Sequence, residues 1–404
     1  MKRHIVIYLL TVIISGSLIF LGSLVTIKNV VLPSMTNDIE TERAEVITVT
    51  GREVIGYDMT GDDQMQQEII TFRAKIIGGP NKGKIVTAIQ DLNDFTAIKL
   101  KAVEPGDRVI LYYGFSVMDT AYVLGDYLRT DALIILCLFF FLLIILFGRR
   151  KGINTIVSLV FTCLAVFLVF IPSIFAGYNI YRWSIVTCIF IIIMTLLIIN
   201  GANRKTLAAI LGCSGGVLVA GLLTIIMSGV LALSGYLDNE SVYLVYLNND
   251  NPIDLKAIIF AAIIIGAMGA IMDVAMSIAS SLQEINEQAK ISSFSSLFRS
   301  GLTIGRDIMG TMANTLILAY IGSSLSVVLV LIAYNTSLMG LLNREMIAVE
   351  ILQALVGSIG LLSAIPLTAF ISGVLYTNDI VFTVTPGGSE KKRDRASHET
   401  GGEG

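Results

Sequence analysis

Histidine is nearly absent from this 404-residue chain, and cysteine is scarce. The two histidines, His4 and His398, stand near opposite ends, and the four cysteines form no CxxC pair. A zinc site needs several closely spaced Cys or His ligands, so the sequence predicts no metal centre, and no motif indicates a cofactor. Each cysteine lies in a separate apolar run and is interpreted as a small buried residue. They are Cys137, Cys163, Cys188 and Cys213.

Charged residues are also scarce in this chain. Only 15% of residues are charged, 54% are hydrophobic, and the mean hydropathy is +0.79. A soluble domain carries roughly a quarter charged residues. The apolar residues come in runs long enough to cross a lipid bilayer, which takes about 20 residues as helix. With a net charge of −3 and no long basic stripe, a nucleic-acid partner is excluded, and an integral membrane protein is predicted.

Enzyme signatures are also missing. The chain has no H-E-x-x-H, no G-x-S-x-G and no Walker A sequence, so it is predicted not to be an enzyme. One catalytic alternative stays open. Asp273 and Asp307 could form an intramembrane aspartyl pair, which requires two carboxylates that nearly touch.

Four segments are predicted along the chain. They are a transmembrane helix over 1–28, an extracytoplasmic β-rich domain over 29–130, a seven-helix transmembrane domain over 131–376 and a disordered cytoplasmic tail over 377–404. In the second segment, β-branched and aromatic residues indicate four strands, joined by turns such as GGPNKGK and EPGD. The strands lie at 44–51, 68–79, 83–92 and 107–114. A small OB-like or SH3-like barrel is expected.

The apolar runs predict seven further helices, which makes about eight with the first. They lie at 131–147, 153–175, 183–199, 206–233, 256–280, 303–334 and 347–376. Basic clusters at 148–152, 203–205 and 390–395 fall on one side, and the positive-inside rule places that side in the cytoplasm. Both termini are therefore expected in the cytoplasm.

Three of these helices carry polar stripes. The helix over 256–280 and its extension present, on one face, Gly266, Ala270, Asp273, Ser277, Ser280 and Glu284. The next helix presents Thr303, Asp307, Gly310 and Asn314 on one face, with Arg306 beside it. The last helix presents Glu350, Gln353, Gly357, Gly360 and Ala364. We expect these stripes to face neighbouring helices rather than lipid, because small residues let helices approach closely.

Asp273 is the most informative of these residues. A lone charge at a helix centre costs roughly 2.5–3.5 kcal/mol on insertion scales, which favours a functional or paired role. Arg306 on the next helix is the predicted partner. By contrast, Arg306, Asp307 and Glu350 lie near helix ends, where snorkelling explains them equally well. The repeat of Gly212, Gly216 and Ala220 predicts helix packing.

Three blocks resemble a known family. GAIMDVAMSIASSLQEI, GLTIGRDIMGTMANTLILAYIGSSL and EILQALVGSIGLLSAIPLTAFISGVLY are similar to the signature blocks of the YibE/F-like bacterial membrane proteins. The segments TFRAKIIGGPNKGK and PGDRVILYY resemble the first part of that family. The resemblance implies a multi-pass protein of the bacterial inner membrane. The layout is also similar, more loosely, to SecD/SecF proteins, in which proton flow through membrane carboxylates drives outside domains.

Two classes of function follow. The first is a transporter or permease with an intramembrane polar groove and proton coupling at Asp273. The groove residues are Asp273, Ser277, Ser280, Glu284, Arg306, Asp307, Asn314, Glu350 and Gln353. The second is a non-transporting assembly or accessory factor whose β-domain binds a protein partner. The sequence leaves the solute and the oligomeric state open.

Overall fold

A computed structural model describes residues 2–27, 40–58, 64–93, 101–117, 120–237, 239–246, 252–288, 293–334 and 337–377. The chain divides into two compact units. One contains the first helix and the chain from Phe147 onward, and the other contains the strands and the chain up to Leu146. The predicted tail follows Thr377 and lies outside the described residues. Lys290, one of the basic residues on the predicted cytoplasmic side, also lies outside them.

The strands close into a small barrel. They are β1 (Glu40–Asp58), β2 (Gln64–Ile76), β3 (Ile85–Asn93), β4 (Arg108–Val117) and β5 (Thr120–Tyr127). The order around the barrel is β1-β2-β3-β5-β4, with β3 and β5 parallel and the other neighbours antiparallel. Inward-facing residues alternate along the strands, as in Ile70, Phe72 and Ala74 on β2, which are fully buried. The predicted β-rich domain is therefore confirmed.

The fifth strand was not predicted. β5 pairs in parallel with β3 through Ala88–Tyr122 and Ile89–Val123, and antiparallel with β4. Such long-range pairing is a tertiary effect that a short local pattern does not reveal. Gly125 allows the closure, because a Cβ atom at this position would stand 2.6 Å from the Tyr112 ring.

Eleven helices and one π-helical segment are found in the described residues. They are α1 (Lys2–Ile27), α2 (Thr130–Ala165), the π-helical segment (Val166–Phe170), α3 (Ile171–Phe175), α4 (Ile180–Asn200), α5 (Arg204–Val230), α6 (Asn239–Tyr246), α7 (Leu255–Gln288), α8 (Phe294–Ser323), α9 (Leu325–Tyr334), α10 (Leu338–Leu342) and α11 (Glu345–Thr377).

Six helical stretches in this part of the chain are long and apolar enough to cross a membrane. A seventh is reached if α8 and α9, which meet at a bend of 62°, form one span. The predicted count of eight is therefore not confirmed. The predicted helices at 131–147 and 153–175 both lie in the stretch Thr130–Phe175, in which two helices meet across a kink at Arg149 (φ 49°, ψ −125°).

Helix α7 lies at the centre of the packed helices and contacts α4, α5, α8 and α11. Its isoleucines Ile264, Ile271 and Ile278 are fully buried. Beside it, α5 and α11 meet through small residues: a Cβ atom at Gly216 would stand 2.8 Å from the Gly360 carbonyl oxygen. The packing predicted from the glycine repeat of α5 is confirmed.

The four cysteines divide into two pairs by exposure. Cys188 and Cys213 are buried, as predicted. Cys137 and Cys163 are exposed, so the prediction of four buried cysteines is wrong for these two. Both stand on α2, whose most apolar window has no buried residue, and an apolar surface of this kind is suited to lipid.

Candidate functional site

The polar stripe of α7 lies on the open side of the helix. Asp273, Ser277 and Glu284 are exposed, whereas the isoleucine face is buried against neighbouring helices. The prediction that the stripe faces neighbouring helices is therefore wrong over most of its length. The physical reason is that the larger apolar side chains bury more surface, so they occupy the packed sides.

Two close contacts that involve glycines mark where helices α7 and α8 approach each other. At one end, a Cβ atom at Gly301 would stand 3.0 Å from Leu282, and we call this the Gly301 end. At the other, a Cβ atom at Gly266 would stand 3.0 Å from the Tyr320 hydroxyl, and we call this the Tyr320 end. Between them, Cβ atoms at Gly269 and Gly310 would meet nothing within 4 Å. The stretch between the two contacts is named the α7–α8 groove.

Predicted polar residues of both helices fall in the stretch between the two contacts. Arg306, Asp307 and Asn314 are exposed on α8, and Ser280 is half-buried on α7. In the described part of the chain no hydrogen bond or ion pair is formed by the side chains of Asp273, Arg306 or Asp307. The groove therefore holds unpaired charges of both signs.

The predicted Asp273–Arg306 ion pair is not formed, and the register of the helices explains why. The two end contacts place Gly266 level with Tyr320 and Leu282 level with Gly301. At 1.5 Å of rise per residue, Arg306 then lies about 8 Å further toward the Gly301 end than Asp273. Asp273 stands level with the segment 310–313 instead.

Tyr320 closes one end of the groove. Its hydroxyl is buried and has no hydrogen-bond partner among the described residues. It is lodged between α7 and α11, 3.0 Å from the Cβ position of Gly266 and 3.6 Å from that of Gly357. The Gln353 amide nitrogen lies 3.6 Å from the Cβ position of Gly266. Gln353, which was predicted as a groove residue, therefore lies at the Tyr320 end.

Sequence reasoning missed Tyr320, although a signal was present. Tyr320 follows Arg306 by fourteen residues, which returns to nearly the same helix face after four turns. Glu350, predicted as part of the site, is half-buried on α11 one turn before Gln353. The rest of the α11 stripe, Gly357 and Gly360, packs against α5, α7 and α8 and serves helix contact.

A cavity of about 420 Å³ opens at the Gly301 end. Its lining residues are Ile285, Ser296, Arg299, Ser300, Thr303 and Ile304. Glu284, predicted as a groove residue, stands next to Ile285 in the chain, and its carboxylate accepts a hydrogen bond of 2.6 Å from Gln288. Within the described ranges, no three His, Cys, Asp or Glu side chains converge as a metal site would require.

The fold and groove define a class: an α-helical protein with several membrane-spanning helices and a small β-barrel that follows the first of them. The model of the YibE/F-like protein family matches residues 136–378, more than half of the chain. The chain therefore belongs to the YibE/F-like family, as its signature blocks predicted. The match includes α7, α8 and α11 and ends at residue 378. No curated protein and no solved structure matches the chain.

Proposed function

We propose that this protein is a membrane transporter in which the α7–α8 groove forms the solute path and Asp273 takes up and releases a proton. The observation that carries the proposal is the unpaired Asp273 carboxylate in the middle of an open groove whose Tyr320 end is closed. A lone charge near the centre of a membrane helix costs several kcal/mol, and intramembrane carboxylates commonly mark ion or proton paths.

Access from one end at a time is the second support. The Tyr320 side chain fills the space between Gly266 and Gly357, and a cavity lies beside the contact at Gly301. Basic residues near the Gly301 end, such as Arg299, favour placing it in the cytoplasm. The groove would then be open to the cytoplasm, and alternating access would require Tyr320 to move.

The topology that suits this proposal has eight spans. The stretch Thr130–Phe175 contains 46 residues. At 1.5 Å per residue it would be about 69 Å long, more than twice the thickness of the hydrocarbon core. A break at Arg149 would divide it into two spans and return the chain to the cytoplasm. We further propose that the barrel is of OB type and lies outside the cytoplasm, since OB domains are five-stranded barrels.

The test is a flux measurement in proteoliposomes that contain a pH-sensitive dye, with a panel of solutes and an imposed pH gradient. We expect a solute-dependent proton flux from the wild type, and its loss in Asp273→Asn at equal insertion. Glu287→Gln is the matched control, because Glu287 is an exposed carboxylate at the end of α7 outside the groove. An equal solute-dependent proton flux in Asp273→Asn and in the wild type would contradict the proposal.

The alternative is an assembly or accessory factor whose barrel binds a protein partner. It is favoured by a depression of about 810 Å³ on the barrel surface. The lining residues are Glu45, Val46, Ile47, Lys75, Ile76, Ile77, Lys82, Gly83 and Gly106. On this alternative, Lys75→Glu with Lys82→Glu would abolish activity in cells, whereas Asp273→Asn would retain it.

A further inference from the structure

The cavity at the Gly301 end is lined by hydrogen-bond donors, and no carboxylate is among its described lining residues. Its polar groups are the guanidinium of Arg299 and the hydroxyls of Ser296, Ser300 and Thr303, and its apolar groups are two isoleucines. The four polar residues follow one another at spacings of three, one and three, so they occupy a single face of α8. Such a set recognises negative charge, because guanidinium groups have no acceptor and hydroxyls can donate.

These donors are free to bind a ligand. In the described part of the chain, the side chains of Arg299, Ser296 and Ser300 form no hydrogen bond or ion pair. Only the Thr303 hydroxyl is engaged, donating to the Arg299 carbonyl oxygen over 3.0 Å. Helix α7 contributes Ile285 to the lining of the cavity. The adjacent carboxylate in the chain, Glu284, does not line the cavity and accepts a hydrogen bond from Gln288.

We propose that this cavity is a binding site for a phosphate group. An arginine guanidinium matches two phosphate oxygens at once, and hydroxyls on the same face would bind the remaining oxygens. The cavity of about 420 Å³ exceeds the size of a single phosphate and accommodates a larger molecule that carries one. Free inorganic phosphate and a phospholipid headgroup share this chemistry. The site lies beside the Gly301 end of the groove, but its binding of phosphate does not depend on whether the groove transports a solute.

The test uses the full-length protein and two probes. Binding of inorganic phosphate is measured by equilibrium dialysis in a nonionic detergent. Thermal stability is measured in nanodiscs of phosphatidylcholine with and without phosphatidylglycerol. Arg299→Gln is compared with Arg182→Gln, which changes an exposed arginine at the start of α4 that does not line the cavity. Ser300→Ala removes a single hydroxyl and serves as a milder variant if Arg299→Gln fails to fold.

We expect phosphate affinity to fall at least tenfold in Arg299→Gln and severalfold in Ser300→Ala, with Arg182→Gln unchanged. This result would identify a free phosphate as the ligand. Stabilisation by phosphatidylglycerol that is lost in the same variants, without binding of phosphate, would identify a lipid headgroup. If neither probe acts, or if the cavity variants and Arg182→Gln respond alike, the site does not exist.

Discussion

The Tyr320 hydroxyl oxygen lies 3.0 Å from the point where a Cβ atom would stand at Gly266, and it has no hydrogen-bond partner in the described chain. The side chain thus closes the groove by its bulk. We expect Tyr320→Phe to keep the end closed and to be as stable as the wild type or more so, because an unpaired buried hydroxyl costs about 1–3 kcal/mol.

Chemical labelling of a cysteine introduced into the groove tests whether Tyr320 closes this end. In a chain without native cysteines, Gly269→Cys should resist a membrane-impermeant maleimide added from the side of the membrane at which the Tyr320 end lies. Adding Tyr320→Ala should expose it, whereas adding Tyr320→Phe should not. Equal labelling of all three variants would show that Tyr320 does not close the groove.

The contact between α5 and α11 depends on Gly216. A Cβ atom there would stand 2.8 Å from the Gly360 oxygen and 2.9 Å from Ile271. Gly216→Ala is expected to destabilise the protein by about 1–3 kcal/mol through overpacking. Gly229→Ala on the same helix, where a Cβ atom meets nothing within 4 Å, is the control. Thermal unfolding in detergent compares them, and equal midpoints would contradict the packing interpretation.

Labelling of single introduced cysteines tests the eight-span topology. After removal of the four native cysteines, residues 150, 204, 290 and 395 should react from the cytoplasmic side, and residues 60 and 177 from the opposite side. The reason is that the break at Arg149 would return the chain between two spans. Labelling of residue 290 from outside would exclude eight spans.

The barrel should fold alone only when it includes β5. We expect residues 38–129 to give a strand-dominated circular dichroism spectrum and a cooperative unfolding transition. Residues 38–118 would lack the strand that pairs with both β3 and β4, so two edges would stay open. Cooperative unfolding of the shorter segment would show that β5 is not needed for closure.

Acid should weaken the barrel through Asp107. Burial by itself raises the pKa of this carboxyl, but hydrogen bonds from Lys101 and from the Glu104 N–H outweigh it, and the pKa lies below its usual value. The stabilisation is therefore present above the ordinary carboxyl pKa and is lost as the pH falls through the lowered one. Asp107→Asn should lower stability at neutral pH and reduce its loss in acid, as measured by thermal unfolding of residues 38–129.

The exposed Glu53 provides the control, because Glu53→Gln on β1 touches neither Lys101 nor Glu104. Its unfolding midpoint should follow that of the wild type at every pH. A parallel pH profile for Asp107→Asn and the wild type would assign the acid sensitivity to other groups.

The sequence by itself determined the class of the protein and much of its local structure. Long apolar runs require a membrane, alternation along residues 68–79 requires a strand, and small residues four apart, such as Gly212 and Gly216, favour close helix contact. These signals are local, because the period of a helix or strand is visible within a few turns of chain. The signature blocks likewise identified the family that residues 136–378 match.

Only the tertiary structure decided how these elements meet. Helical periodicity showed that Asp273 and Ser277 share a face, but not that the neighbouring helices pack on the other faces. Likewise, adjacency in sequence favoured an Asp273–Arg306 pair, whereas the contacts at Gly266 and Gly301 fix an axial register that separates the two. The burial of large apolar side chains sets both the face and the register, and it depends on residues far apart in the chain.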